Sequence, residues 1–190
     1  MIVHRTPLDG VLVLEPDVFR DERGYLIETW NRQRYSEVGL PADFAQDNVS
    51  RSSRGVLRGL HYQFGRAQGK LVGTPEGEVF DVAVDLRRDG PTFGRWWGCT
   101  LSSDNHRQLW IPPGFAHGFL VLSEHALVVY KCTETYDPES QGTILWSDPD
   151  IGIAWPEAPT IISTKDRNAP LLRDVAAAEL PGEVRTAARR

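Results

Sequence analysis

Residues 78–86 read EVFDVAVDL, and the alternation within them is the clearest structural signal in this chain. Every second residue from Phe80 to Leu86 is apolar, whereas Asp81 and Asp85 fall between these positions. The side chains of a β-strand point to opposite faces in turn, so this period of two predicts a strand with one packed face and one polar face.

Short runs of similar character lie on both sides of this strand, separated by Gly, Pro, Asn and Asp. Many short strands at such spacing predict an all-β fold, either a barrel or a sandwich. One short helix is predicted over residues 31–39, with Asn31 as its N-cap. The other strand-like runs are residues 11–14, 24–30, 56–63, 70–74, 93–101, 107–111, 117–122, 126–135 and 143–146.

We expect residues 1–174 to form a single β-barrel domain. A chain of 190 residues with 41% hydrophobic residues is large and apolar enough to bury one core. From residue 175 the sequence changes to VAAAELPGEVRTAARR. This change in composition predicts a C-terminal tail or short helix over residues 175–190.

The charge and cysteine content argue against several classes of protein. A formal net charge of −5 disfavours a general nucleic-acid binder and a binder of anionic membranes. Cys99 and Cys132 form no CxxC pair, so we expect packed thiols in a reducing compartment. No signal-peptide pattern is present, and no run approaches the roughly 20 apolar residues that span a bilayer. These features predict a cytoplasmic protein.

Residues 58–63, RGLHYQ, contain the first candidate base, His61. Histidine titrates near neutral pH and can accept and return a proton, while Arg58 suits a phosphate or carboxylate. Three positions separate the two residues, so both face one pocket only if Gly59 introduces a bulge or kink. Taken alone, the segment fits a hydrogen-bonded core histidine better than a catalytic group.

Lys70 and His117 each have a chemical and a structural interpretation. Lys70 follows GRAQG at the predicted start of a strand. It either stabilises an enolate oxygen or is an exposed lysine at a strand end. His117 follows the turn-forming segment PPGFA, so it either lines the mouth of a barrel or bonds to the backbone of the turn.

Tyr130 lies on a predicted strand face that we expect to be buried. The alternate residues of this face are Ala126, Val128, Tyr130, Cys132 and Tyr136. A tyrosine on the inner face of a barrel acts as a general acid or is a core residue with a bonded hydroxyl. Its position alone favours the core residue.

The histidine pattern disfavours a metal centre. Metal-binding barrels of the cupin type often use an HxH pair, but this chain reads His61-Tyr62-Gln63 at the corresponding place. His117 alone leaves too few ligands for the usual three or four. We therefore predict no metal, and a metal-dependent oxygenase or isomerase is a disfavoured alternative.

Seven segments in order resemble the dTDP-4-dehydrorhamnose 3,5-epimerase family, the dTDP-sugar epimerases of the cupin superfamily. The resemblance covers roughly residues 2–174. It implies a cupin-type β-barrel or jelly roll with a few short helices, a dTDP-linked 4-keto-6-deoxy sugar as substrate, a homodimer, and no cofactor. The segments are DERGYLIETW, QDNVSRSSRGVLRGLHYQ, AQGKLV, GEVFDVAVDLRRDGPTFGRW, IPPGFAHGFLVLS, YKCTETYDP and STKDRNAP.

The same resemblance implies roles for individual residues. His61 matches the family's catalytic base, and Asp166 matches the aspartate paired with it. Tyr130 matches the general acid, and Lys70 matches the lysine near the C4 carbonyl of the sugar. A further set falls where the family holds its nucleotide sugar: Arg23, Glu28, Gln46, Asn48, Arg58, His117, Tyr136, Lys165 and Arg167. Within this set, Tyr136 suits stacking on the thymine ring.

Two departures from the family pattern keep alternatives open. Gln141 stands where the family usually has glutamate, and the segment between His61 and Lys70 is one residue shorter than the common form. An epimerase that inverts only C3 or C5, in the deoxysugar pathway of a natural product, is therefore an alternative. A non-catalytic sugar-nucleotide binding barrel is another, although such a protein needs no acid and base pair.

Overall fold

Short β-strands make up most of the regular structure in residues 1–182, the part of the chain that the computed structural model describes. The strands are β1 (Ile2–Arg5), β2 (Leu12–Glu15), β3 (Val18–Asp21), β4 (Gly24–Ile27), β5 (Gln46–Ser53), β6 (Val56–Gln63), β7 (Lys70–Glu76), β8 (Glu78–Asp85), β9 (Trp96–Ser102), β10 (Gln108–Ile111), β11 (Phe115–Val121), β12 (His125–Cys132), β13 (Gln141–Thr143) and β14 (Ile161–Ile162). The helices are α1 (Arg32–Glu37), α2 (Thr164–Arg167) and the 3₁₀ turns Leu172–Asp174 and Ala177–Glu179.

Two large sheets enclose the main core. The strand order is β1-β2-β10-β7-β12-β5 in the first sheet and β13-β6-β11-β8-β9 in the second, with β14 beside β6. The core combines residues of both sheets, such as Val72 and Val128 from the first and Val79 and Phe119 from the second. This arrangement confirms the predicted all-β barrel or jelly roll with a few short helices.

Strand β8 is packed on both of its faces. Val79 and Ala83 belong to the core between the sheets, whereas Val82 and Val84 belong to a second cluster on the other face of the second sheet. Asp81 is completely buried on the same face as Val79 and Ala83. The predicted alternation is confirmed, but its polar positions lie inside the protein rather than towards solvent.

Strand β5 is not predicted by the alternation of apolar residues, because its inner face is polar. Its outward residues, including Val49, are exposed. Hydrophobic periodicity is lost wherever a strand lines a polar interior. The less exposed residues of this strand are Gln46, Asn48, Ser50 and Ser52.

Several strand boundaries differ from the prediction. The run at 143–146 is misplaced, since β13 ends at Thr143. The run at 126–135 is too long, because β12 ends at Cys132. Tyr136 is therefore not on the buried face of that strand, and 52% of its surface is exposed. The additional short strands β1, β3 and β14 are mostly exposed and carry little apolar patterning.

Side-chain caps begin both α-helices. Asn31 accepts a hydrogen bond from the backbone N–H of Arg34, which confirms the predicted N-cap of α1. Ser163 caps α2 in the same way, accepting from the backbone N–H of Asp166 at 3.0 Å. This second cap fixes the helix turn that carries Asp166 towards β6.

The chain continues to contact the barrel after residue 174. Val175 and Leu180 pack against the outer cluster of the second sheet. The domain boundary at residue 174 stays a prediction, and the part of the predicted tail after residue 182 lies outside the described residues. Each helix within residues 1–182 is too short or too polar to cross a bilayer.

Candidate active site

His61 and His117 lie side by side on the second sheet and point into the barrel. They are direct antiparallel partners on β6 and β11. The side chains of such partners project from the same face of a sheet. Leu60 and Tyr62, which flank His61, belong to the cluster on the opposite face. The sheet register therefore directs both imidazoles inward.

The backbone around Gly59 is distorted, as expected if Arg58 and His61 face one pocket. The register of β6 against β11 shifts between these two residues, and Gly59 has a φ of +126°. A Cβ atom on Gly59 would lie 2.5 Å from the Cα atom of Gly118, so the two backbones pass closely here. Arg58 extends to the first sheet, where its Nε donates to the Ser52 hydroxyl at 3.1 Å.

His61 is paired with Asp166 from α2. Its Nε2 lies 2.7 Å from one Asp166 oxygen, and the other oxygen accepts from the backbone N–H of Gly59 at 3.3 Å. Burial acts to raise the pKa of Asp166, but the hydrogen bonds from His61, Gly59 and Ser163 outweigh it and keep the pKa below its ordinary value. The ionised carboxylate orients the imidazole and leaves Nδ1 free to act as a base.

Tyr130 lies on the first sheet and points towards the same space. Its ring centroid is 6.4 Å from that of His117. Burial raises the pKa of the Tyr130 hydroxyl, the Cys132 thiol adds to this, and the Arg58 guanidinium opposes it. The phenol therefore keeps its proton near neutral pH and can serve as an acid.

Lys70 is buried, so the interpretation as an exposed lysine at a strand end is wrong. Only 7% of its surface is exposed, and its Nζ donates to the backbone carbonyl of His61 at 3.4 Å. Burial lowers the pKa of Lys70, while the nearby Cys132 and Asp81 act to raise it. The ammonium thus lies next to the strand that carries the candidate base.

His117 belongs to a second histidine–aspartate pair. It lies within β11 rather than in the preceding turn, and its Nε2 is 2.9 Å from an oxygen of Asp81. The interpretation as a turn histidine bonded to backbone is therefore wrong. Sequence reasoning missed Asp81 as a site residue, although a carboxylate within an otherwise apolar strand was the signal that could have identified it.

The inner face of β5 supplies a polar wall beside Tyr130. Gln46 Nε2 donates to Asn48 Oδ1 at 2.9 Å, and Asn48 Nδ2 donates to Cys132 Sγ at 3.6 Å. The buried hydroxyl of Ser50 has no hydrogen-bond partner within residues 1–182. This wall offers amides and a hydroxyl to a polar ligand.

Three further residues form a cluster at the rim, which we call the rim cluster: Tyr136, Gln141 and Lys165. The Tyr136 hydroxyl donates to Gln141 Oε1 at 3.0 Å, and Lys165 Nζ donates to the same oxygen at 2.6 Å. The backbone N–H of Tyr136 donates to Gln46 Oε1 at 2.7 Å, which joins the rim to the polar wall. Lys165 precedes Asp166 in α2, so the rim lies next to the His61 pair.

The remaining three candidate residues make their contacts elsewhere. Arg23 is exposed and pairs with Asp21 in the hairpin of β3 and β4. Glu28 accepts from Asn31 at 3.1 Å beside α1. Arg167 is exposed, and its guanidinium donates to the backbone carbonyl of Ile162. Ligand contacts by these three residues stay predictions.

No group of three or more His, Cys, Asp or Glu side chains that could hold a metal ion occurs within residues 1–182. The predicted absence of a metal stays a prediction. The groups gathered inside the barrel are instead a histidine–carboxylate pair, a phenol and an ammonium. Reversible proton transfer at carbon needs a base, an acid and a group that stabilises the intermediate anion, and these residues can supply all three.

The fold is a cupin-type β-barrel, and its interior gathers side chains that can serve as an acid and a base. Comparison with known proteins identifies the family to which this β-barrel belongs. The family model described as dTDP-4-dehydrorhamnose 3,5-epimerase matches residues 5–174, and the chain belongs to this family. The family's enzymes are isomerases, so the chain is an isomerase.

Individual relatives agree with this assignment. The dTDP-4-dehydrorhamnose 3,5-epimerase of Salmonella typhimurium is 56% identical over 176 residues, which cover 90% of this chain and 96% of that protein. The enzyme of the same name from Methanothermobacter thermautotrophicus is 55% identical over 173 residues, which cover 90% of this chain and 94% of that protein. A crystal structure of the dTDP-6-deoxy-D-glucose-3,5-epimerase of Legionella pneumophila, in complex with dTDP-4-keto-L-rhamnose, matches this chain with a TM-score of 0.93 and 50% sequence identity. The match covers 95% of this chain and 97% of that chain.

Proposed function

We propose that this protein inverts C3 and C5 of dTDP-4-dehydro-6-deoxy-D-glucose and forms dTDP-4-dehydro-L-rhamnose. The observation that carries the proposal is the placement of His61 and Tyr130 on the two facing sheets, with the buried Lys70 beside His61. The names of the relatives above 50% identity support the same reaction.

The proposed reaction begins with proton removal by His61. A carbonyl at C4 makes the C–H bonds at C3 and C5 acidic, because the resulting anion is delocalised onto the C4 oxygen. Nδ1 of His61 takes the proton, since Nε2 is occupied by Asp166. The ionised Asp166 stabilises the imidazolium that forms, as in other histidine–carboxylate pairs.

The intermediate enolate has its charge on the C4 oxygen. Lys70 is the first choice to stabilise this oxygen, because a buried ammonium acts in a medium of low dielectric constant. Tyr130 then returns a proton to the opposite face of the carbon and so inverts the centre. The substrate carbonyl serves as the electron sink, so the proposed reaction calls for neither a redox cofactor nor a metal.

The charged and aromatic groups near this site suit a nucleoside diphosphate sugar. Arg58 and Lys165 form no ion pair with an acidic side chain of residues 1–182 and donate instead to Ser52 and Gln141, so their charges are available to a diphosphate. The exposed ring of Tyr136 offers a stacking surface to a nucleobase. His117 and the amides of Gln46 and Asn48 are proposed to contact the sugar.

We also propose that the protein is a homodimer in the cytoplasm. The hairpin of β3 and β4 exposes three large apolar side chains, namely Phe19, Tyr25 and Leu26. Phe19 and Leu26 are cross-strand partners, so their side chains share one exposed face of the hairpin, and exposed apolar patches of this kind are typical of protein interfaces. Analytical ultracentrifugation tests the assembly: a dimer sediments with twice the chain mass of 21.3 kDa, and a monomer contradicts the proposal.

The experiment that tests the function uses proton NMR in deuterium oxide with dTDP-4-keto-6-deoxyglucose. Solvent deuterium that enters at both C3 and C5, together with the L-rhamno product, supports the 3,5-epimerase. Deuterium and inversion at one carbon only favour the monoepimerase. Binding of dTDP without any exchange favours the binding barrel and contradicts the proposed reaction.

A further inference from the structure

The central acceptor of the rim cluster is the neutral amide oxygen of Gln141. A glutamate carboxylate would fit the same position. Gln141 Oε1 accepts from both Tyr136 and Lys165. An ammonium has only donors, so the atom that faces Lys165 must be the amide oxygen, and this fixes the orientation of the amide. The two bonds hold the phenol ring and the ammonium in one arrangement.

The charge of Lys165 is not balanced by this contact. Lys165 makes no ion pair with an acidic side chain within residues 1–182, whereas Lys131 pairs with Asp47 at 2.9 Å. A glutamine of nearly the same size as glutamate therefore anchors Lys165 without neutralising it. Strand β13 holds Gln141 in place, because it pairs directly with Gln63 of β6.

We propose that Gln141 is a specificity-determining positioning residue, which leaves the charge of Lys165 unpaired and aimed at the diphosphate of the ligand while it orients Tyr136 for the base. The inference rests on the proposed function, because it takes a nucleoside diphosphate as the ligand. According to this inference, the uncharged amide of Gln141 increases the affinity for dTDP relative to the affinity for thymidine.

The test compares binding of dTDP and thymidine by calorimetry in the wild-type protein and in Gln141→Glu. A carboxylate at this position pairs with Lys165, so we expect dTDP to bind about three- to tenfold more weakly, with thymidine changed much less. The dependence of dTDP affinity on salt concentration also becomes shallower, because less free charge remains at the rim. If Gln141 had a merely structural role, the affinities for dTDP and thymidine would fall by the same factor and the salt dependence of dTDP binding would not change.

Two further variants separate the contributions of charge and position. Gln141→Leu releases Tyr136 and Lys165 without adding charge, so it should weaken binding of thymidine through Tyr136 and binding of dTDP by a larger factor, because Lys165 is no longer held towards the diphosphate. In a Lys165→Met background, Gln141→Glu should have little further effect on dTDP. An effect of full size in that background means that the carboxylate repels the ligand directly, which overturns the inference.

The outcomes for function and inference are distinguishable. If the wild-type protein exchanges deuterium into the keto sugar but Gln141→Glu leaves the ratio of dTDP to thymidine affinity unchanged, only the inference about Gln141 fails. If the wild-type protein binds dTDP no more tightly than thymidine, the inference also fails. If dTDP binds with the expected ratios and no exchange occurs, the proposed function fails alone.

Discussion

His61 and His117 are direct cross-strand partners, and each imidazole is bonded to its own buried aspartate. The two pairs differ in exposure: the His61 side chain is 33% exposed and that of His117 is 7% exposed. A base must reach its substrate, so the more open histidine suits proton transfer. The enclosed His117 is better suited to hold a fixed orientation.

Asp166→Asn tests whether the carboxylate supports His61. Loss of the ionised partner should lower kcat by about 10²-fold or more, because the imidazolium loses its stabilising charge. The pKa of Asp166 is lowered in the folded state, so its contribution to stability is complete above pH 3.8 and is lost as pH falls through the lower folded value. Urea unfolding should therefore show a larger deficit for the variant at about pH 6 than at about pH 3. A deficit that grows at acid pH would contradict this account.

Lys70→Met separates function from stability. Burial lowers the pKa of Lys70, so the unfolded chain holds this proton more tightly, and stability at this site rises with pH from the folded pKa up to 10.5. The variant removes the buried charge and should raise Tm by a few degrees, corresponding to about 1 kcal/mol, while kcat falls about 10²-fold or more. Calorimetry and turnover measure the two effects.

Lys131→Met, which removes a lysine paired at the surface, is the control and should leave kcat within about twofold of wild type. A Lys70 variant of unchanged kcat contradicts the role of this residue.

Gly59→Ala tests the close approach of β6 and β11. Gly59 and Gly24 share a φ of +126°, but a Cβ at Gly59 would lie 2.5 Å from Gly118, whereas one at Gly24 meets nothing within 4 Å. Both alanine variants strain the backbone because of the positive φ. Only Gly59→Ala also brings the new Cβ atom too close to Gly118. We expect Gly24→Ala to cost about 1 kcal/mol of unfolding free energy and Gly59→Ala at least about 2 kcal/mol more. Equal losses in urea titrations would show that the strands have room to separate.

Tyr130→Phe tests the assignment of the acid. The variant keeps the ring and removes only the hydroxyl, so His61 can still remove a proton and recapture it from solvent on the same face. Deuterium exchange should persist within about tenfold of the wild-type rate while inversion falls about 10²-fold or more. Proton NMR resolves both processes in one sample. Equal losses of exchange and inversion would indicate that Tyr130 acts before the enolate forms.

The apolar parts of the fold were predictable from the sequence, and the polar parts of the interior were not. The alternation in β8 identified a strand correctly because Phe80, Val82 and Val84 are apolar and share one face. Strand β5 carries amides and hydroxyls on its inner face, so the same pattern is absent there. A strand that lines a binding cavity lacks the hydrophobic period on which such prediction depends.

The site residues show the same division. The sequence predicted a bulge at Gly59 only on the condition that Arg58 and His61 face one pocket, and the register of β6 against β11 does shift between them. The pairing of His61 with Asp166 joins residues far apart in the sequence, and only the resemblance to a family suggested it. Asp81 was assigned to a polar strand face: its place in an otherwise apolar strand was a local signal, but that signal does not identify His117 on the neighbouring strand as its partner.

The central claim is that His61 is the base, and the most direct test measures deuterium exchange by His61→Asn. The variant keeps a polar side chain of similar reach but cannot take a proton at neutral pH. We predict that exchange at C3 and C5 of dTDP-4-keto-6-deoxyglucose falls at least about 10³-fold, while dTDP binds within about threefold of the wild-type affinity. Exchange at the wild-type rate in this variant, with binding intact, would contradict the claim and assign the base to another residue.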